Sequence, residues 1–304
     1  MVTVRIHGGL GNQMFQYAMG RSLSLRAHDG LELDPTSLFD PTRWKYLTPR
    51  TYALDIVFNI TPKLSLPSRV VRTLKIPYAT RVWRRYYPEV FAKLGAWRYV
   101  REEGFPFKPE LLDLRGNVYL DGFWQTEKYF EECADTIRND FTFRNRLSGG
   151  AAAIAEDIRQ TNSVCVHIRR GDNANNPMSQ RTHILAPTQY YDDAIKVMKQ
   201  KVNGAIKAFV FSDDTAWCRE NLKLGVEQVF VGDEYAGLEA RDHLQLMSLC
   251  KHFIIPESSF SWWAAWLSPN KGKVVIAPDP WFKVPTIDTR DIIPDSWVKV
   301  DIRQ

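Results

Sequence analysis

VCVHIRRGD, residues 164–172, runs from an apolar stretch straight into two guanidinium groups, a glycine and an acid. A short apolar run ended by a turn reads as a strand covered on both faces, and such strands belong to parallel sheets wrapped by helices. Arginine is costly to bury without a partner, so two of them at one strand end make sense where one clamps an anion and the other pairs with an acid. Side chains alternate along a strand, which sends Arg169 and Arg170 to opposite faces. Arg169 then shares a face with His167, and Arg170 is placed to tie to a carboxylate such as Asp172. A surface salt bridge at a strand end is the plainer alternative.

Outward from this segment the pattern repeats. Strand-like runs at 163–168, 206–211, 228–231, 253–255 and 273–277 alternate with helix-like runs at 187–202, 214–222, 237–250 and 260–267. That alternation predicts a Rossmann-type parallel sheet. Nearer the N-terminus, Val2–Ile6 reads as a strand, Gly8, Gly9 and Gly11 as a turn, and residues 12–25 as a helix, with a further strand at 118–123 and helix at 127–141. Scattered prolines and aromatics over 35–110 predict helices and long loops. A chain of 304 residues exceeds what one core usually supports. Two lobes are expected, 1–150 and 151–304, parted near Ser148-Gly149-Gly150.

Composition is that of a soluble globular protein, 44% hydrophobic and 25% charged. The net charge of +5 is unevenly spread: residues 63–101 carry ten Lys/Arg against the single acid Glu89, a local +9, which leaves the remainder acidic. This run reads either as a solvated helical face or as a surface that meets anionic lipid or a diphosphate-linked acceptor. No nucleic-acid motif accompanies it, so nucleic acid is not an expected partner. Four scattered cysteines without a C-x-x-C pair read as free thiols. With no signal-peptide pattern and no apolar run long enough to span a bilayer, the expected location is cytoplasmic, with peripheral contact to the inner membrane face through residues 63–101.

Ligands in such sheets bind beyond the carboxyl ends of the strands. Polar clusters sit there: Arg169-Arg170-Gly171-Asp172, then Ser212-Asp213-Asp214, then Glu257-Ser258-Ser259. Ser258 and Ser259 precede the Phe/Trp-rich run IIPESSFSWWAAWL (254–267) in an N-cap position, where unpaired amides offer a phosphate seat; ordinary capping is compatible with that. Asp213 can accept from a guanine edge, or the FSDD acids can cap the following helix. GGLGNQ (8–13) lets backbone approach a ligand and aims Asn12 and Gln13 outward, or is simply a tight turn; it is neither G-x-G-x-x-G nor a Walker loop. Trp262, Trp263 and Trp266 are assigned to packing. No Asp-X-Asp and no zinc-like His/Cys spacing occurs, so no metal or other cofactor is expected, and Arg169 with the helix start is left to neutralise a diphosphate.

HGGLGNQMFQYA (7–18), VHIRRGD (166–172), FSDD (211–214) and SSFSWWAAWL (258–267) together resemble the family 11 glycosyltransferases, the bacterial alpha-1,2-fucosyltransferases. The resemblance implies an α/β, GT-B-like fold whose C-terminal lobe binds the donor, and an inverting, metal-independent transfer of L-fucose from GDP-β-L-fucose to the 2-hydroxyl of a galactose-containing oligosaccharide, lipid-linked ones included. It implies Arg169 as diphosphate ligand with His167 beside it, Asp213 as a nucleoside contact, Ser258, Ser259 and Phe260 on the phosphate side, and Asn12 as a residue that reaches the reaction centre. Asp172 is carried as a third catalytic candidate, and Gln13, His183 and Glu257 as acceptor-side residues; Asp172, His183 and Glu257 are the candidate bases. Two departures stand out: Glu257 where the family usually has Asn, and Asn173 where it commonly has an aromatic residue. Another GDP-sugar, another fucosyl linkage, or a non-catalytic carbohydrate-binding protein are the rival readings.

Overall fold

The computed structural model describes residues 1–39, 50–65, 89–90, 92–171 and 177–302. Asp172, Asn173 and most of the basic run, including Arg81, Arg84 and Arg85, lie outside the described residues. The chain forms two compact units, one of Met1–Arg144 with Arg290–Ile292, the other of Asn145–Thr289 with Ile293–Gln304. Ser148-Gly149-Gly150, read from sequence as the lobe boundary, is the entry to a helix of the second unit, with Ser148 at its N-cap.

The first unit is built on five parallel strands in the order β3-β2-β1-β5-β4: β1 Val2–Arg5, β2 Leu31–Asp34, β3 Lys63–Leu64, β4 Arg98–Arg101 and β5 Val118–Asp121. Helix α1, Leu10–Arg26, follows β1 and is buried along most of its length. The described part of residues 35–110 therefore holds two edge strands that were not expected, beside the short helical segments Thr36–Phe39 and Leu54–Val57. β3 is two residues long, and in β4 the sequence RYVR places exposed arginines at both ends of the half-buried pair Tyr99 and Val100. Charge on an edge strand protects its open side and hides the apolar signal. The carboxyl edge is stitched by polar groups: Arg5 Nη1 and Tyr99 OH both donate to Asp121 Oδ2 at 2.7 Å, and Tyr119 OH donates to Asp34 Oδ2 at 2.5 Å. The single helix expected over 127–141 is instead two short 3₁₀ turns, Glu127–Tyr129 and Glu131–Cys133, and helix α2, Ala134–Asp140. The break is at Phe130, which leaves helical geometry (φ −139°) to bury its ring completely.

The second unit holds six parallel strands in the order β11-β10-β9-β6-β7-β8. They are β6 Ser163–Ile168, β7 Lys207–Ser212, β8 Glu227–Val231, β9 His252–Ile254, β10 Val275–Asp279 and β11 Val298–Asp301. Every residue of β6 is buried, as expected of a strand covered on both faces. On one face, Val164, Val166 and Ile168 pack with Ala208, Val210, Ile254 and Ile276 against Tyr190, Ala194, Ile195 and Met198 of helix α3, Thr188–Lys201. On the other lie helices α4, Arg241–Leu249, and α5, Ser259–Leu267: Phe211 meets His243 edge-on, and His167 meets Phe260. Trp262, Trp263 and Trp266 are buried in mutual contact, with Trp297 against Trp262, which is the packing role expected of them. Two parallel sheets make the fold α/β and GT-B-like, with the first as much a Rossmann-type layer as the second. The cysteines are free thiols, Cys165, Cys218 and Cys250 buried. Among the described residues no helix is long and apolar enough to cross a membrane.

Candidate functional site

Register brings the strand-end clusters of the second unit together. In β6 and β7, Ile168 lies opposite Ser212, which sets Arg169 beside Asp213 one step further on. Arg169 Nη1 donates to Asp213 Oδ2 at 2.6 Å. The other carboxylate oxygen accepts the backbone N–H groups of Arg170 at 2.9 Å and Gly171 at 3.1 Å. Asp213, expected to contact a nucleoside, is thus the group that fixes the RRG turn and aims Arg169. A Cβ on Gly171 would collide with that same carboxylate, which accounts for the glycine.

Arg170 turns the other way, as alternation required. Its guanidinium lies 3.8 Å above the Trp217 ring and donates to Asp214 Oδ2 at 3.3 Å. Such a stacked cation contributes about 1 kcal/mol and leaves the side chain committed. Its carboxylate partner is Asp214; Asp172, offered for that part from sequence, lies outside the described residues. Asp214 also caps the helix Thr215–Asn221 by accepting from Trp217 N–H at 3.1 Å. The two acids of FSDD have divided their work between anchoring and capping. Trp217 is a site residue that sequence reasoning misses, and its signal is an aromatic three residues after the cap acid.

His167, just before the turn, is buried and its Nδ1 has no hydrogen-bond partner among the described residues. Burial, helped by the positive charge of Arg169 and by His243, lowers its pKa to about 3, so the ring is neutral at any physiological pH. A buried, unsatisfied nitrogen at the edge of a crevice marks a place where a ligand atom can complete the bonding. Phe260 borders it, with ring centroids 6.1 Å apart.

β9 runs beside β6 with Val166 opposite Ile254, so the segment that leads to Glu257 leaves the sheet at the same carboxyl edge as the segment that carries Arg169. Ser258 is the N-cap residue of α5, yet among the described residues its side chain makes no capping hydrogen bond. Ser258 and Ser259 are half-buried there, and the first amides of a helix have no partner within the helix itself. Glu257 is buried, and its two oxygens hold His183 Nδ1 and the Ile184 N–H at 2.8 Å. Burial raises its pKa against the opposing pull of those two partners. Two acceptor-side candidates that sequence placed 74 positions apart are one hydrogen-bonded pair.

The first-unit candidates behave differently from each other. Gly8 adopts φ +78°, and a Cβ there would come within 2.7 Å of the Asn12 amide nitrogen. Asn12 Oδ1 accepts from Gln125 Nε2 at 2.8 Å, so the group it presents is its amide N–H₂. Gln125, absent from the sequence-based candidates, therefore orients one of them. Gln13 is fully buried and spends its amide on backbone: Nε2 donates to Gly8 and Thr51 carbonyls at 3.0 and 2.7 Å, and Oε1 accepts from Ala53 N–H at 3.0 Å. Its expected acceptor-side role gives way to building the turn, because no N–H remains to offer.

The sequence profile of the family described as Glycosyl transferase family 11 matches residues 1–301. An alpha-1,2-colitosyltransferase of Escherichia coli is 34% identical over 99% of this chain and 99% of its own. A galactoside alpha-(1,2)-fucosyltransferase 2 of Rattus norvegicus is 27% identical over 88% of this chain and 67% of its own. Among solved structures, the fucosyltransferase NodZ from Bradyrhizobium superposes with a TM-score of 0.51 at 16% identity, covering 88% of this chain and 92% of that one, a likeness of fold.

Proposed function

Because the chain belongs to glycosyl transferase family 11, we propose that it moves L-fucose from GDP-β-L-fucose to the 2-hydroxyl of a terminal galactoside, with inversion and without a metal. The observation that carries this reading is the pairing, at neighbouring strand ends of one sheet, of an Arg169 held by Asp213 with the uncapped start of α5. A guanidinium and a row of helix-terminal amides are complementary to a diphosphate. Lacking Asp-X-Asp, the chain supplies this neutralising charge itself.

Transfer is then a single in-line displacement through an oxocarbenium-like transition state. The acceptor oxygen bonds to the anomeric carbon as the bond to the β-phosphate breaks and its electron pair leaves with GDP. Charge grows on the leaving diphosphate, where Arg169 and the α5 amides act; loss of one such contact costs about 10²–10³ in rate. His167 Nδ1 adds a neutral partner beside them.

A second donor has a specific observation in its favour, since the 34%-identical relative is named for colitose. Colitose is fucose without its 3-hydroxyl, so the diphosphate grip serves both sugars alike. Purified chain, excess EDTA, a galactoside acceptor and a panel of GDP-fucose, GDP-colitose and GDP-mannose, scored by mass of product, form the test. Fucosylated product at the 2-position supports the reading. Product from GDP-colitose alone replaces the sugar, and no product from any GDP-sugar removes the assignment.

A further inference from the structure

Glu257 and His183 form a polar unit that the displacement above leaves unused. Glu257 lies three residues beyond Ile254, past the carboxyl end of the strand that pairs with β6. Its side chain is 3% exposed against 37% for His183, so the pair is a buried carboxylate carrying a part-exposed imidazole. One carboxylate oxygen is occupied by the Ile184 N–H and the other by His183 Nδ1. The ring is also held edge-on by Phe282 at 5.7 Å, and the preceding Thr182 carbonyl accepts from Lys283 N–H at 2.9 Å. Imidazole orientation is fixed from two sides.

We propose that the two residues act together on the acceptor, His183 receiving the proton of the attacking hydroxyl on Nε2 and Glu257 holding the imidazole with its own proton on Nδ1. The assignment rests on the transferase reading and deepens it. A carboxylate at Nδ1 selects the tautomer whose basic nitrogen is Nε2, and it stabilises the imidazolium formed when that nitrogen is protonated. As the acceptor oxygen bonds to the anomeric carbon, its proton passes to Nε2; the imidazolium returns it to solvent after products leave. A buried carboxylate is expensive unless paired. Here the cost is offset by one amide and one imidazole, the two groups that its oxygens hold. The charged groups on segments packed against His183 include Glu257, then Arg181 on its own segment and Lys283 beside Phe282, both with exposed side chains; Asp279, also exposed, ends the strand leading into that segment.

The experiment uses the full chain and three variants, His183→Gln, Glu257→Gln and Glu257→Asn, with GDP titration by calorimetry and a pH profile of kcat/KM using GDP-fucose and a galactoside. The wild type is expected to bind GDP and to show an acid limb. His183→Gln should keep GDP affinity and lose about 10²–10⁴ in kcat, with a far smaller change in acceptor KM and no acid limb. Glu257→Gln and Glu257→Asn should move the limb to lower pH, since an imidazolium without its carboxylate is less stable; a merely structural Glu257 would not move it. Should His183→Gln fail to fold, that limb shift carries the test. Normal GDP binding with activity within about threefold of wild type in His183→Gln, or an unmoved limb in both Glu257 variants, overturns the assignment alone, because a working base is worth far more than that. A wild-type chain that does not bind GDP overturns the donor reading and this assignment together.

Discussion

Arg169 and Asp213 come from the ends of neighbouring parallel strands and meet at 2.6 Å, while the remaining Asp213 oxygen closes on the amides of residues 170 and 171. One carboxylate therefore sets both the direction of the guanidinium and the shape of the turn that carries it. Both side chains are about a quarter exposed. An ion pair so placed is worth about 0–1 kcal/mol to folding. Its value lies in orientation, and that separates activity from stability in a measurable way.

Asp213→Asn is expected to leave the thermal midpoint nearly unchanged, because little folding energy is at stake. GDP affinity and transfer should both fall, by about tenfold or more, as the guanidinium loses its aim. Arg169→Ala should cost about 10²–10³ in kcat with the fold intact. Calorimetric GDP titration beside a melting curve checks both. An Asp213→Asn chain that melts early yet transfers normally would make the pair a structural one.

Gly171→Ala acts on the same geometry from the opposite side. The added methyl meets the Asp213 carboxylate, which must retreat from the amides or swing Arg169 with it. The expected result is a loss of transfer comparable to Asp213→Asn, with the double variant no worse than either single one, since coupled residues do not add. Rates measured across that cycle decide it; independent losses that multiply would show two separate effects.

How much of this was open to sequence follows from where each signal sits. The six-stranded sheet announced itself because β6 and β7 are buried on both faces, so their apolar runs are unbroken. β4 stayed hidden because RYVR is an edge strand whose arginines face solvent. Arg169 stood out because a cation ending an apolar strand needs a reason. Gln125 gave no such warning: its bond to Asn12 spans 113 positions and arises only when β1 and β5 pair. The His183–Glu257 contact is of the same kind, a meeting of two residues whose spacing carries no period.

Asn12 depends on Gln125 for its direction. With Gln125→Ala the Asn12 amide loses the donor to its Oδ1 and can flip, presenting an acceptor in place of N–H₂. Transfer should fall about as far as in Asn12→Ala, while GDP affinity holds, because neither residue belongs to the unit that carries Arg169. Gln125→Glu tests the sense of the bond: a carboxylate offers no donor and repels Oδ1, so it should be no better than alanine. Recovery of activity in Gln125→Glu would reverse the assigned amide orientation.

His167 carries the pH prediction. Its pKa is about 3 in the folded chain, depressed first by burial and then by Arg169 and His243, against an ordinary value near 6.5. The unfolded chain thus binds a proton that the folded chain refuses over that window. Stability from this residue is fully present above pH about 6.5 and is lost as pH falls, at up to about 1.4 kcal/mol per pH unit. His167→Asn should flatten the fall in stability between about pH 6 and pH 4, read from urea midpoints across that range. It should also weaken GDP binding by the same factor at pH 6 and pH 8, because the ring is neutral at both. A loss of GDP affinity that appears only at the lower pH would mean that His167 binds as a cation, and the neutral-partner role at the diphosphate would have to be abandoned.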